Sequence, residues 1–388
     1  MNAIAALLLR PPPGIAPDMM AHIIWPGSAD AISIQRAIFP GESDEQIRAR
    51  MTAPLFAMHP TLPMMTEKVV GDIYRVGVEG LRYEPGGSDG DAKDSLRGNR
   101  PKVFLFGGST MFGHGSKGDE TISHFLAPLL PAFHVLNFGA QGYTQGTEIK
   151  KLIYLLQLGY RPQSVVFLDG WNDLMHLARS NMRSVDHFLI NSHAIKRGEI
   201  AFTPGASFHR PNYWRLLAES LPLYRLFADM AAPARSAEDI MFNRDAFIDG
   251  FDFLEADLAY RVWGKFSEIH GQALTGKVLG YYSENLMLLK ALGAAYGFEV
   301  LVLFQPVGLM DPSNAFVREA ARTAPGFNYV AGTVRVVRSE IASGRLAMVD
   351  ATSALDDVNG HRYLDVAHYS PAANRALARL IALKLKRN

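Results

Sequence analysis

Residues 102–113 read KVFLFGGSTMFG, a dense apolar block that stops on two glycines and a serine. A short run nearly continuous in Val, Leu and Phe is the signature of a strand buried on both faces of a parallel sheet. Gly107 and Gly108 then allow the chain to turn sharply where that strand ends. Ser109 admits two readings. It is a nucleophile presented at the edge of a sheet, or it is the N-cap of a following helix, which is a common use of serine. The rest of the chain has to separate them.

Working outward, four more runs of the same kind follow, at 134–138, 164–169, 299–304 and 346–350. Helical patterns lie between and after them, at 121–130, 147–158, 283–296, 314–323, 330–343 and 371–386. Strands that alternate with helices predict an α/β fold, a doubly wound and mostly parallel five-stranded sheet flanked by helices and joined by right-handed crossovers. One interval breaks the rhythm. From 175 to 280 no strong strand run occurs, while aromatics such as Tyr213, Trp214, Tyr260 and Trp263 are frequent. A structureless loop of about a hundred residues is improbable in a compact protein, so this interval is expected to be a largely helical insertion forming a cap or lid.

Before the first strand, residues 1–100 read as a lead-in segment packing on the main domain, with 82–101 (RYEPGGSDGDAKDSLRGNRP) as a solvated connection. The main domain is expected over 101–386. The apolar run from Ala3 to Leu9 has no basic residue before it and is closed by Arg10 and three prolines, unlike a secretory signal. It is also too short to span a bilayer, so no transmembrane segment is expected. A cytoplasmic location is slightly favoured, and a periplasmic or secreted one fits only if the N-terminus is a trimmed or atypical signal.

Composition excludes several classes. The 388 residues contain no cysteine, which removes disulfide scaffolds, thiolate metal sites and a cysteine nucleophile. With 39 Lys plus Arg against 38 Asp plus Glu, the formal net charge is +1 and nothing suggests a nucleic-acid partner. The GGST turn lacks the lysine of a phosphate-binding loop and GGSTMFG is not GxGxxG, so no nucleotide cofactor is expected either.

Ligands of open α/β sheets bind outside the carboxyl ends of the strands. The turns there are GGST (107–110), NFGAQGYT (137–144) and DGWND (169–173), and DVAH (365–368) lies just before the last helix. Together they make a plausible acyl-transfer site. Ser109 would be the nucleophile and His368 its general base, with Asp365 orienting the imidazole and stabilising its cation. The i, i+3 spacing of Asp365 and His368 allows both to sit on one turn. The backbone N–H of Ser109, the backbone N–H of Gly142 and the side-chain amide of Asn172 could supply an oxyanion hole. Each motif alone has a bland reading: a helix cap for Ser109, turn chemistry for the glycines, an Asx turn for Asn172 and Asp173, a surface pair for Asp365 and His368.

In order and separation, the four blocks resemble those of the SGNH/GDSL hydrolase superfamily, over about residues 101–386. The resemblance implies a flavodoxin-like SGNH hydrolase fold, with Ser109, Gly142, Asn172 and His368 as the family's four signature residues and Asp365 completing the triad. It departs from the family's usual GDS at Gly108, which replaces the aspartate. What it implies is a serine esterase or acyl-transferase without metal or organic cofactor. The expected substrate is a small-molecule or carbohydrate ester, such as an acetylated sugar. A lipid esterase or thioesterase with an apolar lid is the alternative, as is a non-catalytic carbohydrate-binding protein on the same fold. Oligomeric state stays open. Among competing residues, His114 lies only five positions from Ser109 and would need the loop to fold back on itself. Asp186, His187 and His193 lack the i, i+4 spacing of a helical metal site. Asp350 ends a strand and is a reserve candidate for the triad carboxylate.

Overall fold

The computed structural model describes residues 24, 28–52, 56–57, 62, 65–83, 88–174, 268–322 and 325–386. The chain divides into two units, Met1–Asp186 with Leu258–Asn388, and His187–Asp257. Every described residue belongs to the first.

Five parallel strands form the central sheet: β1 (Lys102–Gly107), β2 (His134–Asn137), β3 (Ser164–Asp169), β4 (Glu299–Phe304) and β5 (Val349–Asp350). Their spatial order is β2-β1-β3-β4-β5. All six residues of β1 and all six of β3 are buried, as a sheet covered on both faces requires. β5 is shorter than the sequence suggested. It pairs with β4 only through Leu303–Val349 and Phe304–Asp350, because it is an edge strand with one neighbour.

Among the described residues the α-helices are α1 (Ala29–Ile38), α2 (Asp44–Arg50), α3 (Asp89–Arg97), α4 (Ser109–Phe112), α5 (Ile122–Leu126), α6 (Gln145–Gln157), α7 (Glu268–Tyr296), α8 (Glu319–Arg322), α9 (Pro325–Ala342) and α10 (Pro371–Leu385). Alternation along β1 divides the core. Val103 and Leu105 join Val166, Leu301 and Leu303 under Ile122 and Leu126 of α5 and Leu377 and Ile381 of α10. Phe104 and Phe106 point the other way and pack against Phe138 and Phe167, with ring centroids 5.0–5.8 Å apart. Offset and edge-on ring contacts of this kind add to the burial of the rings themselves.

Several elements depart from expectation for local reasons. The interval 82–101 is not a continuous solvated connection: Ser88 caps α3 with a reciprocal Ser88–Asp91 box, and Leu96 is buried. α5 stops at Leu126 and tightens into a 3₁₀ turn over Ala127–Leu129, where Pro128 has no N–H to continue an α-helix. The expected helix over 314–323 begins only at Glu319, because the Asn314 amide turns inward to the carbonyls of Gly308 and Asp365. The expected insertion lies outside the described residues up to 267. Its expected end at 280 falls inside α7, which runs on past Gly276 and Gly280 by burying Val278 and Tyr282.

Residues before β1 are built into the same unit. The Gln35 amide donates to the Leu364 carbonyl at 2.8 Å. Arg50, 2% exposed, bridges Glu42 and Glu120 at 2.5 and 2.6 Å. The hairpin Val69–Val70 with Arg75–Val76 leads into Arg82, whose backbone bridges to Val76 and to Asn137 at the end of β2.

Candidate active site

β1 and β3 are neighbours, and the chain leaves them towards opposite edges of the sheet: β1 leads to β2, and β3 leads to β4. A crevice opens at such a switch point, outside the carboxyl ends of the strands. Gly108 takes the N-cap position of α4 and Ser109 is the first residue of the helix itself. Ser109 is therefore not a cap. Its Oγ lies 2.7 Å from His368 Nε2.

His368 and Asp365 come from the loop before α10. His368 Nδ1 is 2.6 Å from Asp365 Oδ2, and Asp365 Oδ1 accepts the backbone N–H groups of Ala367 and His368 at 2.7 and 2.8 Å. Burial alone would raise the Asp365 carboxyl. The adjacent His368 and these hydrogen bonds outweigh it and hold the group well below the usual carboxylate range. A buried, ionised Asp365 has a partner at every turn, which is the condition for keeping a charge out of water. The three residues thus form one hydrogen-bonded chain across 259 positions of sequence, Asp365–His368–Ser109.

The other two predicted residues stand on turns that are joined through Tyr143. Gly142 adopts the left-handed conformation, φ 69°, that opens the turn after β2. The Asn172 amide, from the turn after β3, donates to the carbonyl of Tyr143 at 2.8 Å. Asn172 also presses on the Ser109 turn: a Cβ at Gly108 would lie 2.2 Å from Asn172 Nδ2 and 3.2 Å from the Tyr143 carbonyl oxygen. A side chain at 108 therefore requires Asn172 to leave this position.

The reserve carboxylate is engaged elsewhere. Asp350 accepts from Arg338 at 2.8 Å and from the backbone and hydroxyl of Thr352. Asp173 is buried, accepting from the Gln145 backbone and the Tyr282 hydroxyl. Asp186, His187 and His193 lie outside the described residues.

His114 is where sequence reasoning fell short. Gly113 and Gly115 flank it with φ of 82° and 78°, and this pair of left-handed residues does fold the loop back on itself. The His114 ring then sits against His368, centroids 4.4 Å apart. Burial, reinforced by His368 and by Arg82, lowers its imidazole to about 3, so it is neutral at neutral pH. Among the described residues, His114, Asp365 and His368 form a group with donor atoms within 4.8 Å of one another that could hold a cation. Both ring nitrogens of His368 are already engaged, by Asp365 and Ser109, so a metal ion there would break the hydrogen-bonded chain.

Arg82 was also missed. It is buried, and its guanidinium donates to the carbonyls of Phe112, Gly113 and Ser116, on the loop that carries Ser109 and His114. Thr110 fixes the opposite side of that loop, 3.0 Å from Gln305 beyond β4. Carbonyl partners leave no trace in a sequence, so no motif could have revealed Arg82.

No family model and no curated protein matches this chain. Among solved structures it is similar in fold to several hydrolases and esterases. One is a member of the lipolytic protein G-D-S-L family from Veillonella parvula, 9% identical, covering 73% of this chain and 98% of that one with a TM-score of 0.36. Another is a variant of an acetyl xylan esterase from Geobacillus stearothermophilus, 13% identical, covering 74% and 94% with a TM-score of 0.35.

Proposed function

We propose that this protein is a serine-dependent ester hydrolase of SGNH type, working through an acyl-enzyme on Ser109. The single observation that carries the reading is the continuous chain Asp365–His368–Ser109, with bonds of 2.6 and 2.7 Å, at the switch point of the sheet. In this reading Ser109 Oγ attacks the ester carbonyl while His368 Nε2 takes the hydroxyl proton. Asp365 holds Nδ1–H and stabilises the imidazolium that results, remaining ionised throughout. The carbonyl oxygen becomes an oxyanion facing the N–H groups of Ser109 and Gly142 and the Asn172 amide. Each such donor contributes on the order of 2.7–4 kcal/mol to the barrier. The tetrahedral adduct collapses by breaking the ester C–O bond, and the departing alkoxide takes the proton from His368. Water then attacks the acyl-enzyme, gives its proton to His368, and releases the carboxylic acid as Ser109 recovers its proton. A sugar hydroxyl in place of that water would make the protein an acyl-transferase.

For substrate, the reading favours a small acyl group such as acetyl on a carbohydrate, as the sequence resemblance implies. The test has two arms. Ser109→Ala should abolish turnover of p-nitrophenyl acetate, and a fluorophosphonate should label Ser109 in the parent protein. Unchanged turnover, or a label on another residue, would overturn the assignment. Activity rising from acetyl to long-chain esters would instead refute the small-acyl part alone.

A further inference from the structure

We propose that His114 is a positioning residue for this reaction: wedged between Tyr74 and His368 and tied by Gln141 to the turn that carries Gly142, it fixes the His368 ring towards Ser109 and joins the two halves of the site. The inference rests on the hydrolase reading above and extends it to residues outside the four sequence blocks.

The geometry is specific on every side. His114 Nδ1 is 2.9 Å from the Gln141 amide nitrogen, and Gln141 immediately precedes Gly142. The backbone N–H of His114 donates to the Ser109 carbonyl at 2.9 Å, so the residue is anchored to the nucleophile's own helix. Behind it, the Tyr74 ring lies 15° from parallel at 6.4 Å. Tyr74 is itself immobilised: its hydroxyl accepts from the backbone of Gly115 at 2.8 Å and donates to the Arg50 carbonyl. In front, the His368 ring is 4.4 Å away and tilted by 50°. An imidazole hydrogen-bonded only at its two nitrogens can still rock about that axis. A rigid wall on one ring face removes this motion, and misplacing a base by about 1 Å can cost about 10²-fold in rate.

The chemistry suits the place. His368 becomes cationic in the transition state, and a second cation at 4.4 Å would oppose that. His114 is buried and neutral, so the reaction meets a polarisable ring rather than a like charge. It does not serve as a second base: the nitrogen facing Ser109 belongs to His368. Gln141 adds the link to the oxyanion turn. Displacing His114 would therefore disturb both the base and the Gly142 donor.

The test compares His114→Phe, Gln141→Met and the double variant with the parent protein. Phenylalanine retains the ring volume and the wall but loses the bond to Gln141, and Gln141 is half-buried, so its replacement leaves the fold intact. The assays are steady-state hydrolysis of p-nitrophenyl acetate and the rate of fluorophosphonate labelling of Ser109, with thermal melts as a fold control. The expected result is a roughly 10-fold fall in kcat for each single variant with KM changed less than about threefold. The double variant should lose no more than the worse single one, because both break the same link. Single variants within twofold of the parent in kcat, or losses that multiply in the double variant, would overturn the proposal. A purely structural role would lower the melting temperature and the active fraction without changing the labelling rate of the folded protein. If the parent neither hydrolyses the ester nor labels at Ser109, it is the hydrolase reading that fails instead.

Discussion

Gly108→Ala is the substitution that most directly probes how this site is assembled. The backbone at 108 has a negative φ of −72°, so alanine carries no conformational penalty there. The conflict is one of space: the new Cβ would lie 2.2 Å from Asn172 Nδ2 and 3.2 Å from Asn172 Cγ. Both atoms belong to a side chain that can rotate away, whereas the Tyr143 carbonyl oxygen, also 3.2 Å from the new Cβ, is backbone and must give by a few tenths of an ångström, so the strain is relieved mainly by moving Asn172. That movement breaks its 2.8 Å bond to the Tyr143 carbonyl, a loss of about 1 kcal/mol in stability. The consequence for turnover is larger. In the proposed reaction Asn172 is an oxyanion donor, and withdrawing one such donor raises the barrier by about 2.7–4 kcal/mol, or about 10²–10³-fold in kcat. The variant should therefore melt close to the parent while hydrolysing p-nitrophenyl acetate about 10²-fold more slowly, with KM little changed. On an Asn172→Ala background the same substitution should cost almost nothing further, since the donor is already gone. A Gly108→Ala protein with kcat within threefold of the parent, or with a full additional loss on the Asn172→Ala background, would refute the reasoning.

Arg82→Met removes the donor shared by the carbonyls of Phe112, Gly113 and Ser116, and should lower stability by about 3–5 kcal/mol in urea unfolding, with esterase activity lost well before the sheet melts. Arg50→Met leaves Glu120 without its buried cation and Glu42, which hydrogen bonding to Arg50 now lowers to about 2, with Lys117 alone at 2.8 Å; losing the buried member of this part-buried network costs about 3 kcal/mol, the low end for breaking a buried pair, read from the same unfolding curves. For pH, the folded state refuses a proton at His114 down to about 3, whereas an ordinary histidine accepts one near 6.5. The unfolded chain thus gains protons first as pH falls, and stability is lost between about 6.5 and 3; at pH 4.5 the loss reaches about 2–3 kcal/mol, and His114→Phe should abolish that part of the acid sensitivity in melts at pH 7 and 4.5.

Strand positions were legible because each is written locally, and the three-residue chain was legible from the order of four short blocks, since Ser109 and His368 lie 259 positions apart. The apolar run of β1, the glycines that end it and the i, i+3 spacing of Asp365 and His368 are all patterns within a few residues. What escaped is written across long distances or in the backbone. Arg82 opens a polar stretch whose composition resembles that of a solvated linker, and its guanidinium donates to main-chain oxygens that no motif marks. In α3 the burial signal reduces to a single residue, Leu96, which no periodicity argument can weigh. His114 was set aside as a partner for Ser109 because the loop would have to fold back on itself. The left-handed glycines on either side of it do fold that loop, although it is His368 that reaches Ser109, and a glycine written in a sequence does not state its φ. Gly108 shows the converse: the space beside it is taken by Asn172, a residue 64 positions away.

The two turns proposed to face the oxyanion are tied together by a set of buried acids. Glu148 and Asp169 are pushed well above the usual carboxylate range, first by burial, then Glu148 by the charges of Asp169 and Asp173 and Asp169 by that of Asp173, with hydrogen bonds from Glu148 and Gln145 partly offsetting the shift at Asp169. Asp173 is raised to about 6, again by burial, with the Gln145 backbone and the Tyr282 hydroxyl partly offsetting it. Three carboxyls cannot all be ionised so close together in a dry interior, so protons are retained there at neutral pH. What they hold is geometry. Asp173 Oδ1 accepts the first backbone N–H of α6, from Gln145, at 3.0 Å, and the Gln145 side chain donates to Asp169 at 2.8 Å. The turn bearing Asn172 is thereby fastened to the start of α6, three residues beyond Gly142. The Asn172–Tyr143 bond closes the same loop from above. A pair of donors carried on separate strands can act on one oxyanion only if their spacing is rigid. In this fold the rigidity comes from α6 being clamped to β3, and the acids buried between them are the clamp.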